Sequence, residues 1–266
     1  MNATILSNNE KHYPVLLKEI LSIISPQNGG TFIDCTFGQG GYSKSILKFS
    51  KSKVIALDRD IDCKRVAENL ERKNKKRFTF YNKKFGDIDQ INYEDLKVKG
   101  IIFDLGYSYI QIKDPKKGLS FENSGLLNMR MGINEFTASD VVNKLEQKDL
   151  ELIFKFFGDE KKSKLISKKI VLERSQGLID TQKLVKIINS SKKNNNKKIH
   201  NATKVFQALR IFVNKEISEL IYGLIKSVKI LETKGLIVVV SFHSLEDKII
   251  KYFFKSLSEQ NKISRY

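Results

Sequence analysis

The feature that most constrains the fold of this chain is a glycine-rich stretch from Thr31 to Ser43, TFIDCTFGQGGYS. A short β-prone apolar run, Phe32-Ile33, precedes the glycines, and a helix-like segment from Tyr42 to Phe49 follows them. Strand, glycine loop and helix in this order are typical of the first unit of a nucleotide-binding α/β fold. Glycines let the backbone approach a ligand closely. A glycine cluster alone is common, so its meaning depends on the segments that follow.

Acidic side chains follow the next predicted strands. Asp58 comes directly after an apolar run and about 20 residues past the first glycine, where such folds place a carboxylate on ribose hydroxyls. Asp104 ends a second apolar run, 101–103. Because ligands of open parallel sheets bind outside the carboxyl ends of the strands, the glycine loop, Asp58 and Asp104 predict one site. Phe85, in a loop after another predicted strand, has two readings: it packs on an adenine ring or belongs to the edge of the core.

The composition excludes several classes of protein. A hydrophobic content of 41% supports a core, and no apolar run approaches the ~20 residues of a membrane span. Two cysteines and three histidines indicate neither a disulfide framework nor a zinc cluster. With no secretory signal in the first ten residues, we expect a cytoplasmic protein. The net charge of +18 suits a polyanion such as RNA, although AT-rich coding also produces chains rich in Lys, Asn and Ile.

The rhythm of the sequence changes at Ile112. Strand patterns stop there, and helical patterns follow one another to about Lys198. One begins at Thr137, where Asp140 has the spacing of a capping box. The sequence therefore predicts an α/β core, residues 1–111 and 199–266, that carries an inserted all-helical domain, residues 112–198. The basic surface of the insertion is either a substrate clamp or a structural lid.

A long helix is predicted from Asn201, as its N-cap, to Leu231. One face of this helix is polar and contains Thr203, Gln207, Arg210 and Asn214. That face is either the solvated side of the helix or the wall of a cleft. A fully buried strand is predicted at 235–240, and His243 follows its carboxyl end.

Six sequence blocks together resemble the RsmH (MraW) family of ribosomal RNA small-subunit methyltransferases, in the order of that family. The blocks are HYPVL at 12–16, DCTFGQGGYS at 34–43, DLGYS at 104–108, GLSF at 118–121 with MRM at 129–131, FQALRI at 206–211 with VN at 213–214, and SFHSLED at 241–247. The resemblance covers nearly the whole chain. The FQALRI and SFHSLED blocks are highly specific.

The resemblance implies a Rossmann-like class I methyltransferase core with a helical insertion. It implies that the chain uses S-adenosyl-L-methionine to methylate the exocyclic N4 of a cytidine in the decoding centre (P site) of 16S rRNA, within the small ribosomal subunit. It leaves the oligomeric state open, a homodimer being one alternative. The cofactor contacts of the family fall on Gly40, Gly41, Tyr42, Asp58, Phe85, Asp104 and Gln111.

The chain departs from the family pattern at several positions. Tyr42 stands where the family usually has His, so only the backbone role carries over directly. Tyr107 replaces a small aliphatic residue, Gly132 a common Asp, and Asn201 a Pro. Family members also continue past the position of Tyr266 with a basic segment, so we expect this chain to be shortened at that end.

The chemistry suggests roles for the remaining candidates. The lone pair of cytosine N4 is delocalised into the ring, and an acceptor on its N–H bonds would localise that pair and later take a proton. Asp104 or the neighbouring carbonyls fit this role, unless the cofactor occupies Asp104 fully, and Tyr107 fits stacking on the extruded base. RNA contacts are expected from Arg130, Arg210, Asn214 and His243. For both arginines, structural salt bridges are the equal alternative.

Two other classes of protein share parts of these patterns. A nicotinamide-dependent oxidoreductase would have the glycine loop and the ribose acid, but the spacing here lacks the third glycine of G-x-G-x-x-G. A non-catalytic RNA-binding protein would have the charge, but it would not need carboxylates at strand ends.

Overall fold

The computed structural model describes residues 14–93, 96–122, 124–132, 134–192 and 199–258, so His12 and Tyr13 of the first motif lie outside the described residues. In these ranges the chain forms five strands and eleven α-helices, besides three short 3-10 helices. The strands are β1 (Gly30–Asp34), β2 (Ser52–Leu57), β3 (Phe78–Tyr81), β4 (Val98–Asp104) and β5 (Leu231–Val240). The helices are α1 (Leu17–Ile24), α2 (Gly41–Ile46), α3 (Lys64–Lys73), α4 (Tyr109–Lys113), α5 (Ala138–Lys144), α6 (Gln147–Gly158), α7 (Ser163–Arg174), α8 (Thr181–Ser191), α9 (Thr203–Asn214), α10 (Glu216–Ile230) and α11 (Ser244–Ser258).

The chain divides into two compact units, residues 1–106 with 219–266 and residues 107–218. The second unit is larger than the helical insertion predicted at 112–198. The difference arises because α9 packs on α5 and α6 of the second unit. A Cβ atom on Gly158, the last residue of α6, would lie 2.4 Å from the backbone oxygen of Lys204 in α9. The two helices thus meet at their backbones, and α9 belongs with the helical unit.

The first unit contains one parallel sheet with the order β3-β2-β1-β4-β5. Ile33 of β1 is in register with Ile55 of β2 on one side and with Ile101 of β4 on the other. The strand order reverses direction between β1 and β4, and open α/β sheets bind ligands at that point. These two strands end at Asp34 and Asp104. The predicted α/β core is confirmed.

Side chains of the central strands alternate between two apolar layers, as a sheet covered on both faces requires. Phe32, Val54 and Ile102 pack with residues of α1, α2 and α3, such as Leu17, Ile46 and Ala67. Their chain neighbours Ile33, Ile55 and Ile101 pack on the opposite face with Leu220 and Leu224 of α10 and Ile250 of α11.

The second unit is helical and has a core of its own, in which Leu150, Phe154, Ile166, Leu184 and Leu209 are fully buried. The capping box predicted at Thr137 is confirmed. The hydroxyl of Thr137 accepts from the backbone N–H of Asp140 at 3.1 Å, and the Asp140 carboxylate accepts from the N–H of Thr137 at 2.9 Å. No helix in the described part of the chain is long and apolar enough to span a membrane.

The predicted long helix from Asn201 to Leu231 is wrong. The chain instead forms α9 and α10, separated by Lys215 in a left-handed conformation with φ 52°. The Lys215 N–H caps α9 on the carbonyls of Ile211 and Phe212. Asn201 is not the N-cap either, because that position is held by Ala202.

The strand predicted as fully buried at 235–240 is also wrong in its burial. β5 pairs with β4 on one side and is the last strand of the sheet. Only Val240 of this strand is buried, and Leu236 is 41% exposed. An apolar Val-Val-Val run cannot distinguish an edge strand from a central one, because the run is the same in both.

Candidate active site

A buried carboxylate organises the glycine loop. Asp34, the last residue of β1, has no exposed surface. One of its oxygens accepts from the hydroxyl and the N–H of Ser43 at 2.6 and 3.2 Å, and the other from the N–H of Thr36 at 3.4 Å. Burial raises the pKa of Asp34 to about 6, although these hydrogen bonds act to lower it. Asp34 therefore ties the end of β1 to the first turn of α2.

Sequence reasoning cited Asp34 only as a motif residue and gave it no role. The signal that would have found it is an acid at the end of an apolar strand, with a hydroxyl residue in the first turn of the next helix.

The glycines of the loop are required for different reasons. Gly38 and Gly40 have φ of 50° and 73°, a conformation that other residues rarely adopt. A Cβ atom on Gly40 would lie 2.8 Å from the Phe37 ring, and one on Gly41 would lie 2.2 Å from Pro14. Among the described residues, a Cβ atom on Gly38 would have only the Thr36 carbonyl within 4 Å. Gly40 and Gly41 thus allow the loop to pack closely, whereas Gly38 borders open space.

Asp58, directly after β2, holds the same loop from the neighbouring strand. One of its carboxylate oxygens accepts from the N–H of Gly38 at 2.7 Å, and the other from the N–H of Asp60 at 2.8 Å. Burial raises the pKa of the Asp58 carboxyl group. The Cys63 side chain also hydrogen-bonds to this carboxylate. Because a carboxylate offers about four acceptor sites, the predicted ribose contact is compatible with this geometry and stays a prediction.

Asp104, the last residue of β4, has an acceptor atom that the fold leaves unused. Its backbone N–H donates to the hydroxyl of Thr36 at 2.8 Å. Oδ1 of its carboxylate is buried and has no hydrogen-bond partner among the described residues. Burial, and then the nearby charge of Asp34, raise the pKa of Asp104 to about 6. A buried acceptor without a donor is unfavourable in a folded protein unless a ligand supplies the donor.

The side chain of Tyr42 lies beside Asp104. The Tyr42 hydroxyl is 2.5 Å from the carbonyl oxygen of Val15 and 3.4 Å from Oδ2 of Asp104. Because the hydroxyl has one proton and Val15 is the closer acceptor, its bond to Asp104 is weak. Burial, and then the charges of Asp104 and Asp34, raise the pKa of Tyr42. Tyr42 is thus a buried neutral group on one side of the Asp104 carboxylate.

Phe85 packs toward the core on at least one side. Its ring meets Phe103 of β4 edge to face, with centroids 5.4 Å apart. A Cβ atom on Gly223 of α10 would lie 2.9 Å from the Phe85 ring. This packing agrees with the edge-of-core reading. The adenine contact stays a prediction for the partly exposed remainder of the ring.

The predicted cofactor contact Gln111 and the predicted base contact Tyr107 belong to the helical unit. The Gln111 side chain accepts from the N–H of Ser108 at 2.9 Å, and the Ser108 hydroxyl accepts from the N–H of Gln111 at 3.2 Å. Gln111 therefore completes a capping box at the start of α4. Tyr107 is 43% exposed, and Arg210 lies over its ring, with Cζ 4.8 Å from the centroid.

Two of the predicted RNA contacts turn inward. Asn214 has no exposed surface, and its side chain bonds to the backbone of Met129, Met131 and Arg210. The prediction that Asn214 contacts RNA is corrected accordingly: this side chain holds the 129–131 segment on α9. Arg210 is 8% exposed and donates through Nε and Nη2 to both carboxylate oxygens of Glu216, at 2.8 Å each. The salt-bridge alternative describes Arg210 better than a phosphate contact does.

The other two predicted RNA contacts, Arg130 and His243, differ in their surroundings. Arg130 is partly exposed, and its Nε donates to Oδ1 of Asn128 at 2.9 Å. His243 precedes α11, where its Nδ1 accepts from the N–H of Glu246 at 3.4 Å. Its Nε2 is 3.0 Å from a Glu246 carboxylate oxygen, at an angle too poor for a hydrogen bond. His243 thus caps a helix, whereas Arg130 is a partly exposed side chain.

Comparisons with a family model and with individual relatives agree on one family. The model of the MraW methylase family matches residues 9–265. A ribosomal RNA small subunit methyltransferase H from Rickettsia massiliae is 43% identical over 252 residues, which are 94% of this chain and 82% of that protein. The protein of the same name from Ehrlichia ruminantium is 41% identical over 259 residues, covering 95% of this chain and 86% of its own length. A solved putative rRNA-methylase from Clostridium thermocellum aligns with a TM-score of only 0.30 at 20% identity, over 38% of this chain and 54% of that one.

Proposed function

The chain belongs to the MraW methylase family, and we propose that it uses S-adenosylmethionine to methylate the exocyclic N4 of one cytidine in the decoding centre of 16S rRNA. Relatives that carry the name ribosomal RNA small subunit methyltransferase H support the class of reaction and of RNA. The position on the base and the place in the RNA come from the family resemblance. The cytoplasm, where small subunits are assembled, is the proposed location.

The observation that carries the proposal is the arrangement around Asp104. Asp104 ends one of the two strands that flank the reversal of strand order, and the other strand leads into the glycine loop. Oδ1 of Asp104 is buried without a donor among the residues that the structure describes. A donor from a ligand, such as the exocyclic amine of cytosine, would satisfy this oxygen.

The chemistry of the acceptor explains why a carboxylate is needed. S-adenosylmethionine supplies an electrophilic methyl group on a positively charged sulfur. Asp104 accepts an N–H of the amine, which localises the nitrogen lone pair and gives the departing proton a destination. The pKa of Asp104 is about 6, so the carboxylate is ionised at neutral pH. Because this pKa lies near the working pH, Asp104 is suited to accept that proton.

The residues of the first unit fit the methyl donor. Gly38 has open space beside it in the described part of the chain, which permits close approach of a ligand. Asp58 holds the loop through the N–H of Gly38 and keeps lone pairs for ribose hydroxyls. Gly40, Gly41 and Tyr42 contribute the backbone of the loop, and Gln111 of the helical unit is carried over from the resemblance. Tyr107 departs from the family pattern and is assigned to the base by its chemistry alone.

Arg130 is the best-placed phosphate contact among the three predicted RNA-binding residues of the helical unit, because Arg210 and Asn214 are buried, whereas Arg130 is partly exposed. We expect Arg130→Gln to weaken binding to small-subunit RNA several-fold and to lower the salt slope of the affinity by about one. Affinity for S-adenosylhomocysteine should not change. Filter binding from low to high salt measures the slope.

The matched control for this experiment is Arg72→Gln, which removes the same charge from an exposed arginine that donates to Asn69 within α3. Equal losses in the two variants, or an unchanged slope in Arg130→Gln, would contradict the assignment of Arg130.

Two measurements test the proposed function against its alternatives. S-adenosylhomocysteine should raise the melting temperature and NADH should not, whereas an oxidoreductase would show the reverse. Incubation with methyl-labelled cofactor and small-subunit RNA should label the RNA, whereas a non-catalytic RNA-binding protein would leave it unlabelled. Sedimentation equilibrium of the purified chain tests the homodimer.

A further inference from the structure

Tyr107 presents an exposed aromatic ring with a fixed cation on it. The ring is 43% exposed and follows Gly106, whose φ of 100° turns the chain directly after β4. Cζ of Arg210 lies 4.8 Å from the ring centroid, within the range of a cation–π contact. Tyr107 and Arg210 belong to the same compact unit. The contact therefore restrains a ring that exposure alone would leave mobile.

Arg210 is itself held in one orientation. Its guanidinium forms two parallel bonds of 2.8 Å to the carboxylate of Glu216, and the side chains of this pair are 9% and 13% exposed. Such a planar, two-bond pair fixes the plane of the guanidinium as well as its position. The left-handed Lys215 ends α9 and places Glu216 at the start of α10. The break that sequence analysis missed thus supplies the carboxylate.

This geometry separates Arg210 from a phosphate-binding role. Two of the Arg210 N–H groups donate to Glu216. The guanidinium carbon, Cζ, lies over the ring of Tyr107. A phosphate would have to displace a buried carboxylate. The exposed part of the Tyr107 ring, in contrast, is free to accept a flat partner, and nucleobases stack on such rings.

We propose that Arg210, oriented by Glu216, is a positioning residue that fixes Tyr107 as the stacking platform for the base that receives the methyl group. The inference rests on the proposed function, since it concerns the base-recognition step of that reaction. Tyr107 follows the acceptor Asp104 by three residues in the chain. An enzyme that acts on a base must hold that base out of its stack, and a rigid aromatic ring serves this purpose.

The test compares variants of the full chain with small-subunit RNA and measures kcat, KM and S-adenosylhomocysteine affinity. Tyr107→Leu should lower kcat/KM about tenfold or more, and Tyr107→Phe, which keeps the ring, should lose less. Arg210→Lys keeps the charge but loses the planar fork, and we expect a loss close to that of Tyr107→Leu. Glu216→Gln weakens the pair that orients Arg210, and we expect it to lower kcat/KM in the same direction. Cofactor affinity should stay constant in all four variants.

Two controls separate positioning from general destabilisation. Tyr109→Leu removes a neighbouring ring that is 62% exposed. Arg174→Lys alters a guanidinium that donates to the carbonyls of Val142 and Leu145 in the same unit. Neither should change kcat/KM. RNA with a fluorescent cytidine analogue at the target position gives a further readout, since stacking on Tyr107 should quench it and both Tyr107→Leu and Arg210→Lys should restore the emission.

The outcomes distinguish this inference from the function on which it rests. Wild-type protein that transfers no methyl group to small-subunit RNA would refute the proposed function. Methylation by wild type together with undiminished kcat/KM in Tyr107→Leu, or with full activity in Arg210→Lys and a lower salt slope in Arg210→Gln, would overturn the inference alone. The last of these results would return Arg210 to a phosphate contact.

Discussion

Replacement of Asp104 by asparagine is expected to lower methyl transfer at least about 100-fold, the size of a lost general base. The amide cannot take the proton of the N4 amine, and one side of it presents donors where an acceptor is needed. S-adenosylhomocysteine should still bind to Asp104→Asn and to Asp104→Ala, with affinity measured by calorimetry. If cofactor binding is lost along with activity, Asp104 serves the cofactor and its role as the N4 acceptor is refuted.

The same substitution should stabilise the protein at neutral pH. The pKa of Asp104 rises from 3.8 to about 6 on folding, mainly through burial. The folded state therefore binds the proton more tightly, and the stability from this group is full below pH 3.8 and lost as the pH rises through 6. Removing the charge should increase the free energy of unfolding by on the order of 1 kcal/mol at pH 7.5, after allowance for partial solvent exposure.

Thermal unfolding at pH 7.5 and 4.5 measures this effect. The gain in melting temperature of Asp104→Asn should be present at pH 7.5 and small at pH 4.5. Asp89→Asn is the matched control, because the hydrogen bond from Lys226 lowers the pKa of that exposed carboxyl group, and its removal should bring no gain at neutral pH. An equal gain for Asp104→Asn at both pH values, or a loss at pH 7.5, would contradict the assignment of a desolvated charge.

Replacement of Asp34 by alanine should be the most damaging change to the fold of the site. It leaves three donors without their acceptor: the buried hydroxyl and N–H of Ser43 and the partly buried N–H of Thr36. We expect the free energy of unfolding to fall by about 3 kcal/mol, and cofactor binding to be lost because the glycine loop loses its anchor. Denaturant titration and calorimetry measure the two effects.

The control for this prediction is Asp34→Asn, which keeps one side-chain acceptor and removes the cost of the buried charge. Its stability should lie closer to wild type than that of Asp34→Ala. Wild-type stability and cofactor affinity in Asp34→Ala would show that the carboxylate does not organise the loop.

The sequence predicts the central strands and the carboxyl edge of the sheet well, because their signals are local. Apolar runs that are followed by the glycine loop, by Asp58 and by Asp104 mark strand ends whatever their neighbours are. The capping box at Thr137 is equally local, since both partners lie within one turn. Each of these features is found in the structure as predicted.

The features that sequence reasoning missed depend on distant partners. Lys215 breaks a helix without glycine or proline, and the Glu216 that follows it pairs with Arg210. The pattern of α9 predicts a polar face that is solvated or lines a cleft, but Asn214 on this face bonds to the backbone of Met129 and Met131, far away in the chain. The exposure of β5 depends on its place at the edge of the sheet, which the composition of the strand does not record.

The most direct test of the account is mass spectrometry of 16S rRNA after incubation of small subunits with this protein and S-adenosylmethionine. We predict that nuclease digests gain one methyl group on a single decoding-centre cytidine, that fragmentation places it on N4, and that Asp104→Asn leaves the RNA unmodified. A methyl group on a ring carbon or a ribose oxygen, or no methylation by the wild-type protein, would contradict the account.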